Sequence, residues 1–222
     1  MIQATLIDVM GSDDRVCDAA RVSLGRKASE FTSEQNARLI RFLARNGHFT
    51  PFTHPQATFH VRAPIFVARQ LFKSKIGFSG DDEAFPDADF TENEISRRYV
   101  DSVPEVYRPA WRERAEGVKQ GSGGPLKEAK GLADLEMSVV ADITTRAYGR
   151  LLSLGVAPEQ ARAVLPTAAL TEWHWTGSLA AWARLYRLRT ASDAQDETGE
   201  VAHQVAAALA PHFLVSWSAL TA

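Results

Sequence analysis

One short segment carries side chains that could bind an anion. In N-E-I-S-R-R-Y, residues 93–99, Glu94, Ser96 and Arg98 occupy alternate positions. If the segment is extended, the three side chains point to the same side, because side chains alternate along a strand. Arginine binds phosphate through two parallel hydrogen bonds, and serine and glutamate suit a sugar or a base. The alternative is an edge strand with ordinary surface charges.

The preceding apolar segment, A-P-I-F-V-A-R-Q-L-F-K-S-K at 63–75, adds cationic residues. Pro64 suits the first turn of a helix. Gln70 and Lys73 are three residues apart and so share a helix face, with Lys75 just beyond them. A helix with cations crowded at its carboxyl end predicts an anion site beside the segment 93–99.

Two further arginines lie in apolar surroundings. Arg162 is part of A-R-A-V-L-P, and Arg189 ends the amphipathic segment W-A-R-L-Y-R-L-R. Such arginines either bind an anion or form an internal salt bridge, for which Asp193 and Glu197 are the candidates.

Composition limits the kind of ligand and the cellular setting. The 222 residues are 45% hydrophobic and 23% charged, which predicts one globular domain over 1–222. A net charge of −2 argues against a general nucleic-acid binder, so the anionic partner should be small. No apolar run approaches the roughly 20 residues that span a bilayer, and a cytoplasmic protein is expected. The single cysteine, Cys17, excludes an internal disulfide, and the histidines have no metal-ligand spacing, so no metal is expected.

Hydrophobic periodicity and capping signals predict an α+β fold, with a mixed or antiparallel sheet packed by long helices. The predicted strands are 2–9, 56–62 and 167–175. The predicted helices are 16–22, 32–47, 62–75, 126–154, 158–165, 178–189 and 193–219. Residues 101–127 are predicted to be a surface excursion, since they are weakly patterned and contain proline and glycine.

Six segments, taken in order, resemble the flavin-dependent thymidylate synthase family. They are A-A-R-V-S at 19–23, N-G-H-F-T-P-F at 46–52, F-H-V-R-A-P-I-F-V-A-R-Q at 59–70, N-E-I-S-R-R-Y at 93–99, G-V-A-P-E-Q-A-R-A-V-L-P at 155–166 and L-R-T-A-S-D-A-Q at 188–195. No single segment is decisive, but the ordered set covers most of the chain.

The resemblance implies a homotetramer with active sites between subunits, where flavin adenine dinucleotide (FAD) lies beside deoxyuridine monophosphate (dUMP). The positions that match nucleotide-binding residues are Gln70, Glu94, Ser96, Arg98, Arg162 and Arg189. The positions on the cofactor side are Ser23, His48, Thr50, Lys73, Ser74, Lys75, Ser178 and Arg184. Arg189 and Ser96 are the expected catalytic residues, and Arg189 is expected to contact the pyrimidine.

The chain departs from the family pattern on the flavin side. Lys73, Ser74 and Lys75 stand where the family usually has Arg-His-Arg, and an acidic insertion at 80–91 separates them from Ser96. Lysine keeps the positive charge but not the planar guanidinium, and the histidine ring is lost. The family often has Asn at the positions of Ser178 and Arg184. The insertion is either a solvated loop or an active-site lid.

The implied reaction is methylation of dUMP at carbon 5, giving thymidine monophosphate. Methylenetetrahydrofolate would supply the carbon and NADPH would reduce the flavin. Cys17 lacks the context of a catalytic nucleophile, which fits a route without a cysteine adduct. Two alternatives stay open. One is another pyrimidine substrate, uridine monophosphate (UMP) or deoxycytidine monophosphate, or a hydroxymethyl product. The other is a nucleotide-binding protein that has lost both flavin and catalysis.

Overall fold

The computed structural model describes residues 1–75, 90–117 and 121–222. The acidic insertion predicted at 80–91 therefore falls almost entirely outside the described residues, and so does the side chain of Lys75.

The fold is α+β, as the sequence predicts. Its described strands are β1 (Gln3–Met10), β2 (Gln56–Pro64), β3 (Phe90–Glu94), β4 (Arg112–Arg114), β5 (Ser122–Pro125) and β6 (Leu170–Ser178). Four of them form an antiparallel sheet in the order β1-β2-β6-β3, and β4 pairs with β5 in a separate hairpin. That hairpin lies in the predicted surface excursion. The strand predicted at 167–175 begins and ends about three residues later, as β6.

The described α-helices are α1 (Asp13–Arg21), α2 (Ser33–Arg45), α3 (Thr50–Thr53), α4 (Ile65–Phe72), α5 (Lys130–Ser153), α6 (Pro158–Ala161), α7 (Leu179–Arg189), α8 (Asp196–Leu209) and α9 (Leu214–Thr221). Short 3-10 turns at Lys73–Lys75 and Arg162–Val164 extend α4 and α6. No helix of the described ranges is long and apolar enough to cross a membrane.

Local signals set several boundaries. The Thr32 hydroxyl accepts a hydrogen bond from the Gln35 amide, and the Gln35 side chain accepts one from the Thr32 amide, so the predicted capping box starts α2. The expectation for Pro64 is wrong: it ends β2 in an extended conformation and precedes α4. The helix predicted over 193–219 is interrupted between α8 and α9, where Pro211 has no amide hydrogen to donate.

Aromatic side chains fill the core between the sheet and the helices. Alternate residues of β2 are buried on one face, and Phe59 meets the Trp182 ring of α7 at a centroid distance of 4.9 Å. Trp175 and Phe90 lie 5.0 and 4.7 Å from the same ring. Gly177 is required here, since an added Cβ would come within 2.4 Å of Phe90. This packing fixes the start of β3 against the end of β6, and the strand pairing carries that position along β3 to Glu94.

Candidate functional site

Two adjoining cavities of about 580 and 760 Å³ lie where β3 ends, and both are lined by Glu94, Ile95 and Arg162. We call them together the arginine cleft, because four arginines line it. These are Arg69, Arg97, Arg98 and Arg162. Such a concentration of guanidinium groups in a chain with a net charge of −2 creates a local site for an anion.

The carboxylate of Glu94 is fixed by its neighbour on β6. The hydroxyl of Thr171, a buried residue, donates a hydrogen bond of 2.6 Å to Glu94 Oε1. A hydrogen bond to a charged acceptor is stronger than a neutral one, so it holds the carboxylate in one position at the cleft.

The expected extended conformation of the segment 93–99 is wrong beyond Glu94. The chain turns after β3, and the amides of Tyr99 and Val100 both donate to the Ser96 carbonyl at 3.0 Å. Nevertheless Glu94, Ser96 and Arg98 line the same cavity. The turn, rather than strand alternation, brings the three side chains together.

Two arginines of the cleft, Arg98 and Arg162, donate hydrogen bonds to neutral oxygens. Arg98 donates to the Tyr99 hydroxyl at 3.2 Å, and Arg162 donates to the Glu159 carbonyl at 3.0 Å. The alternative salt bridge to Glu197 is wrong, because Glu197 accepts two bonds of 2.9 Å from Arg112. Guanidinium groups with neutral partners keep their charge available to a ligand.

A second group of predicted residues gathers behind α4. Arg189 donates through Nη2 to the carbonyl of Gln70 at 2.8 Å and to the hydroxyl of Ser74 at 2.9 Å. Arg184 donates to the carbonyl of Ser74 at 3.3 Å. Burial, and secondarily the charge of Arg184, lower the pKa of Arg189. Its Nε is buried and has no hydrogen-bond partner among the described residues.

Two predicted cofactor positions contrast in exposure. Lys73 is exposed at the end of α4, where its ammonium group can reach a ligand. Ser178 is buried, and its hydroxyl caps α7 by accepting a bond of 3.1 Å from the Ala181 amide. Within this chain, the Ser178 hydroxyl therefore has a structural contact, and its expected cofactor contact stays a prediction.

A third group lies at a groove of about 380 Å³ between α1, α2 and α3. His48 and Thr50 line it, and the His48 ring stacks on Phe42 at a centroid distance of 6.1 Å. Ser23 is exposed nearby, where its hydroxyl donates to the carbonyl of Ala20, a residue of the groove. The predicted residues thus fall into three groups: at the arginine cleft, behind α4, and at the groove between α1, α2 and α3.

Arg69 lies at the carboxyl end of α4, where the sequence predicts an anion site, and it lines the cleft. Three other residues of the cleft were not predicted from the sequence, namely Arg97, Thr171 and His174. The adjacent arginines 97 and 98 were one available signal, because a turn can direct both toward the cleft, where each lines one of the two cavities. His174 could have been found only by strand register, since it lies opposite Asn93 on β3. Within the described ranges, no group of three or more His, Cys, Asp or Glu side chains could hold a metal ion.

Comparison with known proteins gives the family. The family model described as "Thymidylate synthase complementing protein" matches residues 5–213. The flavin-dependent thymidylate synthase of Thermus thermophilus is 37% identical over 215 residues, which are 96% of this chain and 73% of that protein. The chain belongs to the flavin-dependent thymidylate synthase family. The resemblance seen in the six segments and the expected enzyme class, a methyltransferase, are thereby confirmed.

A second relative is similar in sequence, and a solved structure is similar in fold. The flavin-dependent thymidylate synthase of Thermosipho africanus is 36% identical over 207 residues, covering 90% of this chain and 82% of that one. The UMP/dUMP methylase PolB from Streptomyces cacaoi, solved with 5-Br dUMP, has a TM-score of 0.85 at 32% identity. That similarity covers 100% of this chain and 95% of PolB.

Proposed function

We propose that this protein methylates dUMP at carbon 5 to give thymidine monophosphate, with FAD as cofactor, NADPH as reductant and methylenetetrahydrofolate as one-carbon donor. The observation that carries this proposal is the arginine cleft, in which cationic side chains surround a carboxylate and a hydroxyl. A nucleoside monophosphate has the matching chemistry: a dianionic phosphate at one end and hydrogen-bonding sugar and base groups at the other.

Arg98 and Arg162 bind the phosphate in this proposal, because both line the cleft and neither is paired with a carboxylate in the contacts described above. Glu94, held by Thr171, accepts hydrogen bonds from the sugar or base, and the Ser96 hydroxyl either donates or accepts one. Gln70 completes the set expected for the nucleotide. Holding the substrate in a single orientation is the main part that these residues play in the rate enhancement.

Arg189 contacts the pyrimidine and stabilises the negative charge that develops as the ring is activated. Its guanidinium is half-buried, and its position is fixed through Nη2 by two acceptors. A preorganised cation of this kind does not have to rearrange during the reaction. Ser96 is the second residue proposed to act at the reacting nucleotide.

The side chains at the proposed cofactor positions carry positive charge or hydrogen-bonding groups that suit FAD. Exposed Lys73 provides positive charge suited to the FAD pyrophosphate, and Lys75 follows it in sequence. His48, Thr50 and Ser23, at the groove between α1, α2 and α3, are proposed to hold the flavin and folate side. The flavin, when bound and reduced, supplies the hydride that completes the methyl group.

We further propose that the active site is assembled between subunits of a homotetramer. The predicted residues form three groups on one chain, none of which is a complete site, and an apolar stripe on α5 supports assembly. Leu132, Leu135, Val139 and Ile143 share one face of that helix and are 69%, 58%, 45% and 58% exposed. Exposed apolar patches of this kind are typical of protein interfaces.

A second candidate substrate is UMP. PolB has also been solved with 5-Br UMP, and that structure matches this chain with a TM-score of 0.82 at 28% identity. The deciding experiment incubates the FAD-loaded protein with NADPH, methylenetetrahydrofolate and dUMP, UMP or deoxycytidine monophosphate, and identifies each product by mass. We expect a methylated product from dUMP. No product from any of the three nucleotides would contradict the proposed activity.

A further inference from the structure

Two residues at which this chain differs from the usual family pattern contact each other. By the resemblance described above, Ser74 stands where the family usually has His, and Arg184 stands where it often has Asn. They are 110 positions apart, and Arg184 Nη1 donates a hydrogen bond of 3.3 Å to the carbonyl of Ser74. The two departures are therefore parts of one local arrangement.

The Ser74 side chain faces the protein interior. Only 1% of the residue is exposed, and its hydroxyl accepts a hydrogen bond of 2.9 Å from Arg189 Nη2. The same nitrogen donates to the Gln70 carbonyl at 2.8 Å. An arginine Nη carries two hydrogens, so these two acceptors occupy both of them. The orientation of the Arg189 guanidinium is thereby fixed from the carboxyl end of α4.

The same arrangement leaves positive charge available. Arg184 and Arg189 are close enough for the charge of one to lower the pKa of the other, after the larger effect of burial. The contacts named above are all with neutral oxygens, those of Gln70 and Ser74. Because these acceptors are neutral, the positive charges of the two guanidinium groups repel each other. A ligand with electron-rich oxygen atoms offsets this repulsion.

We propose that Ser74 and Arg184 are positioning residues that hold Arg189 for pyrimidine recognition, and that Ser74 does not contact flavin. This inference rests on the proposed function, because it assigns the pyrimidine to Arg189. It replaces the expectation that Ser74 is on the cofactor side, since a side chain buried to this degree and bonded to Arg189 is directed away from an external ring.

The test compares FAD-loaded wild type with Ser74→Ala, Ser74→Thr, Arg184→Gln and the double variant Ser74→Ala/Arg184→Gln. FAD per chain is measured from flavin absorbance, dUMP affinity by calorimetry, and kcat and KM by product formation. Circular dichroism and melting temperature establish that each variant is folded. Ser153→Ala is the matched control, because that hydroxyl donates to the local Arg150 carbonyl at the exposed end of α5 and has no other described contact.

We expect Ser74→Ala to retain wild-type FAD content and to lose about tenfold in dUMP affinity, the effect of one hydrogen bond to a charged group. Ser74→Thr keeps the hydroxyl and should recover most of that loss. The double variant should bind dUMP about as weakly as the worse single variant, because residues of one unit are not additive.

Loss of FAD from Ser74→Ala, with dUMP affinity unchanged, would overturn the inference and return Ser74 to the flavin side. The inference would also be overturned if the losses of dUMP affinity in Ser74→Ala and Arg184→Gln added up in the double variant. A wild-type protein that binds FAD but neither binds nor converts any pyrimidine nucleotide is a different result. It would contradict the proposed function itself, and the inference with it.

Discussion

The hydroxyl of Thr171 lies 2.6 Å from Glu94 Oε1, across the pair of strands that ends at the arginine cleft. Thr171 is on β6 and Glu94 is the last residue of β3. The backbone continues the pairing for one more residue, since the Ile95 amide donates to the Glu172 carbonyl at 2.9 Å. The sheet therefore fixes Glu94, the one carboxylate among the described residues that line the cleft.

Replacing Thr171 by Val should weaken nucleotide binding without unfolding the protein. The substitution keeps the β-branched shape but removes the donor to Glu94, and a hydrogen bond to a charged group contributes about 1.5 kcal/mol. We expect the KM for dUMP to rise about tenfold and the FAD content to stay constant. The control is Thr176→Val, which removes the hydroxyl contact with Thr58 farther along β6. An equal change in KM from both variants would show that Glu94 positioning is not the cause.

Replacing His174 by Ala should raise the KM for the nucleotide about threefold, the effect of one ordinary hydrogen bond. His174 lines the larger cavity together with Arg98 and Arg162. Its ring lies 5.6 Å from His60, which in turn contacts Glu172 at 3.0 Å. Steady-state kinetics of His174→Ala are compared with those of His212→Ala, since His212 is exposed and does not line the cleft. Equal kinetics for wild type and His174→Ala would remove His174 from the site.

Local sequence signals predicted the helices and strands better than they predicted the contacts of the candidate site. The Thr32 and Gln35 pair and the alternation in β2 are local, and both are found as expected. The inward direction of Ser74 depends on Arg184 and Arg189, more than 100 positions away, and no spacing rule contains that contact. Ser96 and Arg98 reach the cleft through a turn that the alternating pattern does not indicate.

Removing Arg112 should destabilise the fold more than removing an exposed arginine. Burial tends to raise the pKa of Glu197, but hydrogen bonds from Arg112 and Gln195 outweigh it and the pKa is lowered. Arg112→Ala leaves this buried carboxylate unpaired, at a cost of about 3 kcal/mol in the free energy of unfolding. Urea unfolding measures it, with Arg38→Ala as control, because Arg38 pairs with Glu34 on the surface.

The pH dependence follows from the lowered pKa of Glu197. The ion pair stabilises the fold above the ordinary carboxyl pKa, and this stabilisation is lost as the pH falls through the lower pKa of the folded state. In Arg112→Ala that part of the acid dependence should be absent. An unchanged acid unfolding curve would contradict the assignment.

Cys17 should be dispensable for turnover and unreactive in the folded protein. It is fully buried, and burial, partly opposed by Arg21, raises the pKa of its thiol from 9.0 to about 11. A thiol reagent at pH 8 should label it only after unfolding. Because the folded pKa is the higher one, the thiol's contribution to stability is complete below pH 9 and is lost between pH 9 and about 11. In Cys17→Ala we expect retained activity and no such loss, and an inactive but folded variant would contradict the cysteine-independent route.

A charge placed on the apolar stripe of α5 should both separate the subunits and abolish turnover. Leu135 and Ile143 are exposed on one chain, so aspartate at either position costs little in the isolated fold but would be buried in an interface. Light scattering should report smaller particles for Leu135→Asp and Ile143→Asp, with unchanged circular dichroism. Leu214→Asp, an exposed leucine outside α5, is the control.

If the active site is shared, the dissociated variants should each bind nucleotide weakly, because the three groups of site residues no longer meet. An α5 variant, Leu135→Asp or Ile143→Asp, can then be mixed with an excess of a cleft variant such as Arg162→Ala. We expect no activity from the mixture, because the α5 variant cannot join the assembly. A dissociated variant with wild-type turnover would show instead that one chain contains a complete site.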